Sequence, residues 1–173
     1  INYQTLLNSV MTAAWDDQSV AQMQAKVAAL EATDLSRDAV NARAAVLSHR
    51  EWIRANSRRE KLRHAWADFF KDWDILVCPQ MATEAFSHDH RPFNERILMV
   101  DGEQQPYFEP LMWAGIVVNS YLPSTVFPTG LSKNGLPIGL QAVSAPFRDY
   151  RCIEFTKLVA EQIGGFSTPA AYP

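Results

Sequence analysis

The stretch "VFPTGLSKNGLPIGLQAVS", residues 126–144, decides the fold because it combines a turn signal with two apolar runs. Asn134-Gly135 between apolar segments predicts a β-hairpin with a type I′ turn, in which both central residues have positive φ. Side chains of residues 136–143 alternate between two faces, and neither set is properly polar. The second strand is therefore expected to be buried on both faces, which requires layers above and below and predicts an α/β architecture.

The same stretch carries little chemistry of its own. It contains no acid and no metal ligand, and Lys133 at the turn is its only base. Gly139 leaves room for another backbone or a ligand to approach the strand, and Pro137 belongs at the strand's start because it cannot donate to a ladder. The hairpin is thus expected to serve as scaffold or wall, with reacting groups supplied by other residues.

Upstream, residues 1–72 are predicted to be helical, because no proline precedes Pro79 and no glycine precedes Gly102. A first helix is expected over residues 3–14, and a second is expected to begin at a cap formed by Asp17 or Ser19. Residues 38–71 are expected to form one long helix, or two in line, after a cap at Ser36. The last of these carries a basic face formed by Arg50, Arg54 and Arg58. That face is either solvated or a site for an anion or a partner.

Residues 73–173 read as the sheet-forming part with a closing helix. "DILVCP" at 74–79 predicts a buried parallel-type strand, and Asp101-Gly102 predicts a small hairpin. The closing helix is expected to be capped by Asp149, to end at Gly164 and to place Ile153, Leu158 and Ile163 in the core. Together these patterns predict an α/β fold with a helical N-terminal part followed by strands of a mixed β-sheet flanked by helices.

Composition narrows the functional classes. Of the 173 residues, 47% are hydrophobic and 20% charged, which is typical of a globular protein. The net charge of −3 gives no case for a nucleic-acid partner, and no apolar run is long enough to span a membrane. Two distant cysteines and no visible signal peptide predict a reducing, cytoplasmic location. The chain begins at Ile1 instead of a methionine, which predicts a processed chain or a fragment.

The hairpin and its flanks resemble the C-terminal part of amidase signature enzymes. "LPSTVFPTG" followed by "GLPIGLQAVS" carries the strongest likeness, "FFKDWDILVCPQMATEAF" resembles the family's upstream strand-and-proline segment, and "WAGIVVNSYLP" resembles its asparagine-containing stretch. The likeness covers roughly residues 60–165. It departs from the family at Tyr121-Leu122, where a glycine is common, and at Ser124, where alanine is frequent.

The resemblance implies hydrolysis of a carbon–nitrogen amide bond by a nucleophilic serine, a second serine in a cis peptide and a lysine base. These residues belong to a Gly/Ser-rich N-terminal segment that this chain lacks, so no catalytic residue, no cofactor and no metal is predicted here. The chain is then the C-terminal portion, residues 1–173, of one amidase domain, whose partners are its N-terminal half and a small-molecule amide. Its candidate pocket-wall residues are Pro79 to Met81, Trp113 and Asn119.

Each candidate has a competing interpretation. Trp113 could simply pack in the core, and Asn119 could hold a loop through side-chain hydrogen bonds. Cys78 with His88 or His90 could form a nucleophile and base, and "HDH" with Cys78 or Asp89 could bind zinc, but both patterns are weak. The alternative function is a stand-alone, non-catalytic binding module. A missing half would also leave strand edges exposed and favour a homo-oligomer.

Overall fold

The computed structural model describes residues 1–168, so residues 169–173 of the predicted sheet-forming part lie outside the described residues. The chain divides into two compact units, Ile1–His64 and a second that begins at Ala65. The predicted helical part does end at residue 72, but its last two turns belong to the second unit. Trp66 and Phe70 pack there against the sheet's core cluster.

The first unit is built from helices that bury small side chains. Ala39, Ala42 and Ala44 on one helix are nearly inaccessible, and Leu6 from the first helix is buried with them. Small residues at such a contact let helix axes approach closely. The helices are α1 (Asn2–Met11), α2 (Asp17–Ala28), α3 (Arg37–Ala45) and α4 (His49–Asp72).

Helix starts in this unit are set by side-chain caps. Asp16, and not Asp17 or Ser19 as predicted, caps α2 by accepting a hydrogen bond from the Ser19 amide at 2.7 Å. Ser36 caps α3 as predicted. A reciprocal pair of bonds between Ser48 and Glu51 starts α4, so the predicted helical stretch 38–71 is two helices.

The second unit contains two antiparallel sheets with helices beside them. The strand order in the larger sheet is β1 (Leu76–Pro79), β5 (Pro137–Val143) and β4 (Ser124–Leu131), and the two-stranded sheet pairs β2 (Ile97–Val100) with β3 (Glu103–Pro106). This arrangement confirms the α/β class, but β1 runs antiparallel to β5, so the predicted parallel-type strand at 74–79 is wrong. The further α-helices of this unit are α5 (Met112–Val118) and α6 (Asp149–Ile163).

The turn between β4 and β5 differs from the prediction. Gly135 has φ +77°, whereas Asn134 is not among the residues with positive φ. The amide of Ser132 donates to Leu136 O at 2.8 Å, and the amide of Gly135 donates to Ser132 O at 3.0 Å. This is a three-residue loop in which glycine alone takes the left-handed position, so the predicted type I′ turn is wrong here.

Burial of β5 on both faces holds for only half of its length. Gln141, Ala142 and Val143 are buried, whereas Pro137 and Ile138 are exposed. One face of the buried half is covered by a cluster of residues from α4, β1 and the α5 region. The cluster comprises Val117, Leu122 and Val143 with Trp66, Phe70, Leu76 and Cys78 packed against it.

Helix α6 covers the opposite face of the sheet. The Phe155 ring meets Phe127 of β4 edge-to-face, with ring centroids 6.2 Å apart. The predicted core positions Ile153, Leu158 and Ile163 are wrong, because each is more than half exposed and Cys152 is buried instead. The predicted Asp149 cap is wrong, because Asp149 is the first residue of the helix and makes no cap bond. Gly164 ends the helix with φ +85°, as predicted.

Two details of the β4–β5 pairing matter later. A Cβ atom added to Gly139 would lie 2.7 Å from the carbonyl oxygen of Phe127, which confirms that this glycine permits a close backbone approach. The register shifts between Pro128 and Gly130, which marks an irregularity in β4. Because β4 is an outer strand of its sheet, one of its edges has no strand partner among residues 1–168.

Candidate functional site

A buried glutamine side chain joins three elements at one end of the larger sheet. Gln141 is 4% exposed, and its Nε2 donates to the main-chain carbonyls of Pro79 at 2.9 Å and Trp113 at 3.3 Å. Its Oε1 accepts a hydrogen bond from Ser124 Oγ at 2.9 Å. Hydrogen bonds to this one side chain therefore connect the end of β1, the start of α5 and the start of β4.

Two of the four predicted wall residues meet at this glutamine. Pro79 and Trp113 are brought together through their carbonyl oxygens, although they are 34 positions apart in sequence. Met81 lies two residues beyond β1 and is half-buried, and Asn119 is buried at the end of α5. Sequence reasoning missed Gln141 itself, although a polar residue within an apolar strand signals a buried hydrogen-bonding role.

Three buried polar atoms near these segments have no hydrogen-bond partner within residues 1–168. They are Asn119 Oδ1, Ser120 Oγ and Thr83 Oγ1. An unpaired buried polar group costs about 1–3 kcal/mol, and most such groups in native proteins are satisfied. These atoms therefore have unused capacity to bond a group that is not among the described residues.

The environment of Cys78 argues against a catalytic thiol. Burial raises the pKa of Cys78, and a hydrogen bond with the Gln141 side chain opposes this only in part. Because the thiolate is the nucleophilic form, a thiol with a raised pKa is poorly suited to attack. Cys78 packs instead against the core cluster of the sheet.

The "HDH" loop is organised by an ion pair. Arg91 donates to both carboxylate oxygens of Asp89 and lowers the pKa of that group to about 2. The rings of His88 and His90 contact each other edge-on, with centroids 6.0 Å apart. Within residues 1–168 no group of three or more His, Cys, Asp or Glu side chains could hold a metal, so the zinc alternative finds no ligand set there.

A cavity of about 610 Å³ lies beside this loop, between residues 83–90 and residues 97–99 of β2. Its walls include Phe86, Leu98 and Met99, and the unpaired Thr83 also lines it. The Phe86 ring contacts Tyr107 at a centroid distance of 5.9 Å. The volume falls within the range of about 300–1,000 Å³ that is usual for small-molecule sites.

Comparison with known proteins decides the family. A family model described as Amidase matches residues 2–153. This chain belongs to the amidase signature family. Members of the family are amidases and related hydrolases that act on carbon–nitrogen bonds. The match to this amidase domain begins at residue 2, so it includes the helical unit that lies outside the resemblance noted over residues 60–165.

Similar proteins include both hydrolases and one component of an amidotransferase. Human fatty-acid amide hydrolase 2 is 26% identical over 128 residues, which is 72% of this chain and 21% of that protein. A glutamyl-tRNA(Gln) amidotransferase subunit of Bartonella quintana (strain Toulouse) is 31% identical over 96 residues, or 55% of this chain and 18% of that protein. This amidase family chain thus spans about a fifth of these curated relatives.

The fold agrees with solved members of the family. A bacterial aryl acylamidase of the amidase signature family matches with a TM-score of 0.62 and 17% identity, covering 94% of this chain and 34% of that one. Likeness at this identity concerns the fold alone. Separately, none of the helices described within residues 1–168 combines the length and apolarity needed to cross a membrane.

Proposed function

We propose that this chain is the C-terminal portion, residues 1–173, of one amidase domain that hydrolyses a carbon–nitrogen amide bond. A Ser–cis-Ser–Lys triad outside this chain would supply the nucleophile, the proton transfer and the base. The family match over residues 2–153 supports this, as does coverage of about a third of a solved family member. On this proposal the chain alone is inactive.

The observation that carries the proposal is the exposure of β4, the outer strand of the larger sheet, on the face where the core cluster covers β5 but includes no residue of β4. Phe127 faces α6, so its neighbour Val126 points to the opposite face, where it is 57% exposed. Ser124 shares that face and is also exposed, and the outer edge of β4 has no partner within residues 1–168. We assign this apolar face and free edge to contact with the N-terminal half of the same amidase.

The wall of the substrate pocket would be formed by Pro79 to Met81, where the chain leaves β1, together with Trp113 and Asn119. Gln141 would act as a positioning residue, because its side chain fixes the main chain at two of these places. The unpaired Asn119 Oδ1 is suited to accept a hydrogen bond from a substrate amide N–H or from the absent half's backbone. Small errors in such positioning are costly, since a shift of about 1 Å can lower the rate about 100-fold.

The aromatic residues beside the 610 Å³ cavity support an apolar or aromatic acyl group in the substrate. Phe86 and Phe93 both contact Tyr107 edge-to-face and form one cluster. Such rings offer large apolar area with few rotatable bonds, which favours binding of apolar groups.

The test compares the amidase activity of the longer protein, expressed from the complete gene, with that of the 173-residue chain. With neutral aryl and alkyl amides, we expect turnover by the longer protein and none by the chain. In the longer protein, Gln141→Ala should lower kcat/KM about tenfold or more, whereas Gln162→Ala, an exposed glutamine on α6, should not. Turnover by the chain alone that Cys78→Ala abolishes would contradict the proposed triad.

The free edge and apolar face also bear on the alternative, a stand-alone binding module. If a partner half is missing, the 173-residue chain should self-associate in sedimentation experiments, and Val126→Lys should reduce this more than Gln104→Lys. A reading frame that encodes only these residues, with a monomeric product at high concentration, would favour the binding module. The cytoplasmic location stays a prediction.

A further inference from the structure

The helical unit contains a second cavity, to which the function proposed above assigns no role. It measures about 330 Å³ and lies among the start of α1, α3 and the first half of α4. Its apolar lining includes Val40 and Ala44, both buried, and Leu47. All of its lining residues fall within Ile1–His64, so the cavity belongs to this unit alone.

The charged lining of this cavity is predominantly positive. Arg43, Arg54 and Arg58 line it together with one acid, Glu51. The Glu51 carboxylate accepts hydrogen bonds from Ser48 Oγ at 2.7 Å and Ser48 N at 3.0 Å, and the former is the main reason why its pKa is lowered. Glu51 is therefore ionised at neutral pH and engaged at the start of α4, and the three arginine side chains against one acidic side chain contribute a net charge of +2 to the lining.

The three arginines differ in how many donors they have free. Arg43 is structural, because its two terminal nitrogens donate to the carbonyls of Asp34 and Glu31, each at 2.6 Å. Arg58 uses only Nε, which donates to Asn2 Oδ1 at 3.1 Å and orients the guanidinium. Arg54 makes no hydrogen bond within residues 1–168, so its donors are free, although its charge helps to lower the pKa of Glu51. Arg54 and Arg58 lie one helical turn apart and so share a face.

We propose that this cavity binds a small organic carboxylate. The carboxylate would bond the free donors of Arg54 and Arg58, because planar guanidinium groups match carboxylate geometry. The apolar body would pack on Val40, Ala44 and Leu47, which inorganic anions cannot do. The volume is at the lower end of the range of about 300–1,000 Å³ for small-molecule sites, so the ligand is small. Of the predicted basic face, Arg50 lies outside this lining.

The test is a titration of the ¹⁵N-labelled chain with octanoate, octanol and acetate, followed by NMR. We expect saturable octanoate shifts at the cavity lining and an affinity about tenfold higher than for octanol or acetate, decreasing at high salt. Equal affinities for octanoate and octanol, or octanoate shifts centred elsewhere, would overturn the proposal. So would inorganic phosphate binding as tightly as octanoate.

Variants test the arginine assignment. Arg54→Gln and Arg58→Gln should each weaken octanoate binding about tenfold, with circular dichroism unchanged. Arg50→Gln is the matched control on the same helix and should change it by less than about twofold. If all three variants weakened octanoate binding equally, the effect would come from the overall positive charge of the helix, and the proposed site would be refuted. Binding by the 173-residue chain but not by a longer product of the same gene would overturn the proposal, because the polypeptide itself would then fill the cavity.

Discussion

The two β-hairpins begin from the same kind of dipeptide but close with different turns. Between β2 and β3, Asp101 and Gly102 both have positive φ, at 51° and 84°, as a two-residue type I′ turn requires. Between β4 and β5, Gly135 alone does so, in a three-residue loop. In both hairpins an Xxx-Gly pair marks the turn, but the turn type follows the loop length, which the dipeptide alone does not specify.

The hairpins also differ in the number of neighbouring strands with which their strands pair. Strand β5 pairs on both sides, with β1 and β4, whereas β2 and β3 have no strand partner but each other in the part of the chain that the structure describes. Changes in the β4–β5 hairpin should therefore cost more than equivalent changes in the β2–β3 hairpin. The following substitutions test that contrast.

The largest effect is expected for Gly139→Ala. The new methyl group would lie 2.7 Å from the Phe127 carbonyl oxygen, so two paired strands must separate, at a cost of about 2–3 kcal/mol in the free energy of unfolding. Gly135→Ala meets open space and bears only the strain of positive φ, about 1 kcal/mol. Urea unfolding followed by circular dichroism measures both, and equal losses would refute the close approach as the cause.

Gln141→Leu should rank second. It leaves the carbonyls of Pro79 and Trp113 and the hydroxyl of Ser124 without their bonds, which should cost about 1–3 kcal/mol. The matched control, Gln104→Leu, changes an exposed glutamine of β3 and should cost less than about 0.5 kcal/mol. Similar unfolding midpoints for the two variants would argue that Gln141 is not a structural hub.

A smaller contrast is expected between Asp101→Ala and Asn134→Ala. Alanine at position 101 must adopt φ near +51°, which disfavours it by about 1 kcal/mol. Asn134 does not have positive φ and loses only an exposed bond to Glu84, worth less than about 0.5 kcal/mol. The reverse order in denaturant unfolding would show that the turn assignments are exchanged.

The smallest expected effect is a pH dependence at the tip of the β4–β5 hairpin. The Ser132 hydroxyl first, and the Asn134 amide second, lower the pKa of Glu84 below its ordinary value of 4.5. The stabilisation is fully present above pH 4.5 and is lost as pH falls through the lowered pKa. Carboxyl NMR titration should show this shift, and Asn134→Ala should move the pKa back toward 4.5. An unchanged titration in that variant would remove the asparagine from the explanation.

Local chemistry allowed much of this fold to be predicted. The Ser36 cap, the Gly164 stop and the Asp101-Gly102 turn each depend on a few neighbouring residues, and each is confirmed. The direction of β1 was missed, because an apolar run shows that a strand is buried but carries no information on its partner's direction. The core residues of α6 were missed for a related reason. Its apolar residues occur on more than one face, and only the position of β4 selects Cys152.

The candidate site was predictable only in part. Pro79 was predicted from its place at the end of a strand, and Trp113 as a large aromatic residue before the asparagine-containing stretch. Their meeting at Gln141 requires two distant carbonyls to converge on one side chain. No local pattern encodes such a long-range contact. The polar character of Gln141 within an apolar strand was the available signal, and it pointed to burial with partners without naming them.

The irregularity in β4 limits how another strand can join this sheet. Pro128 offers no amide donor, and the register shift that follows it disturbs the spacing of backbone groups up to Gly130. A neighbouring strand can therefore form a regular ladder only with residues 124–127. The second half of β4 is therefore a poor template for pairing with another chain, which limits edge-to-edge aggregation along this strand.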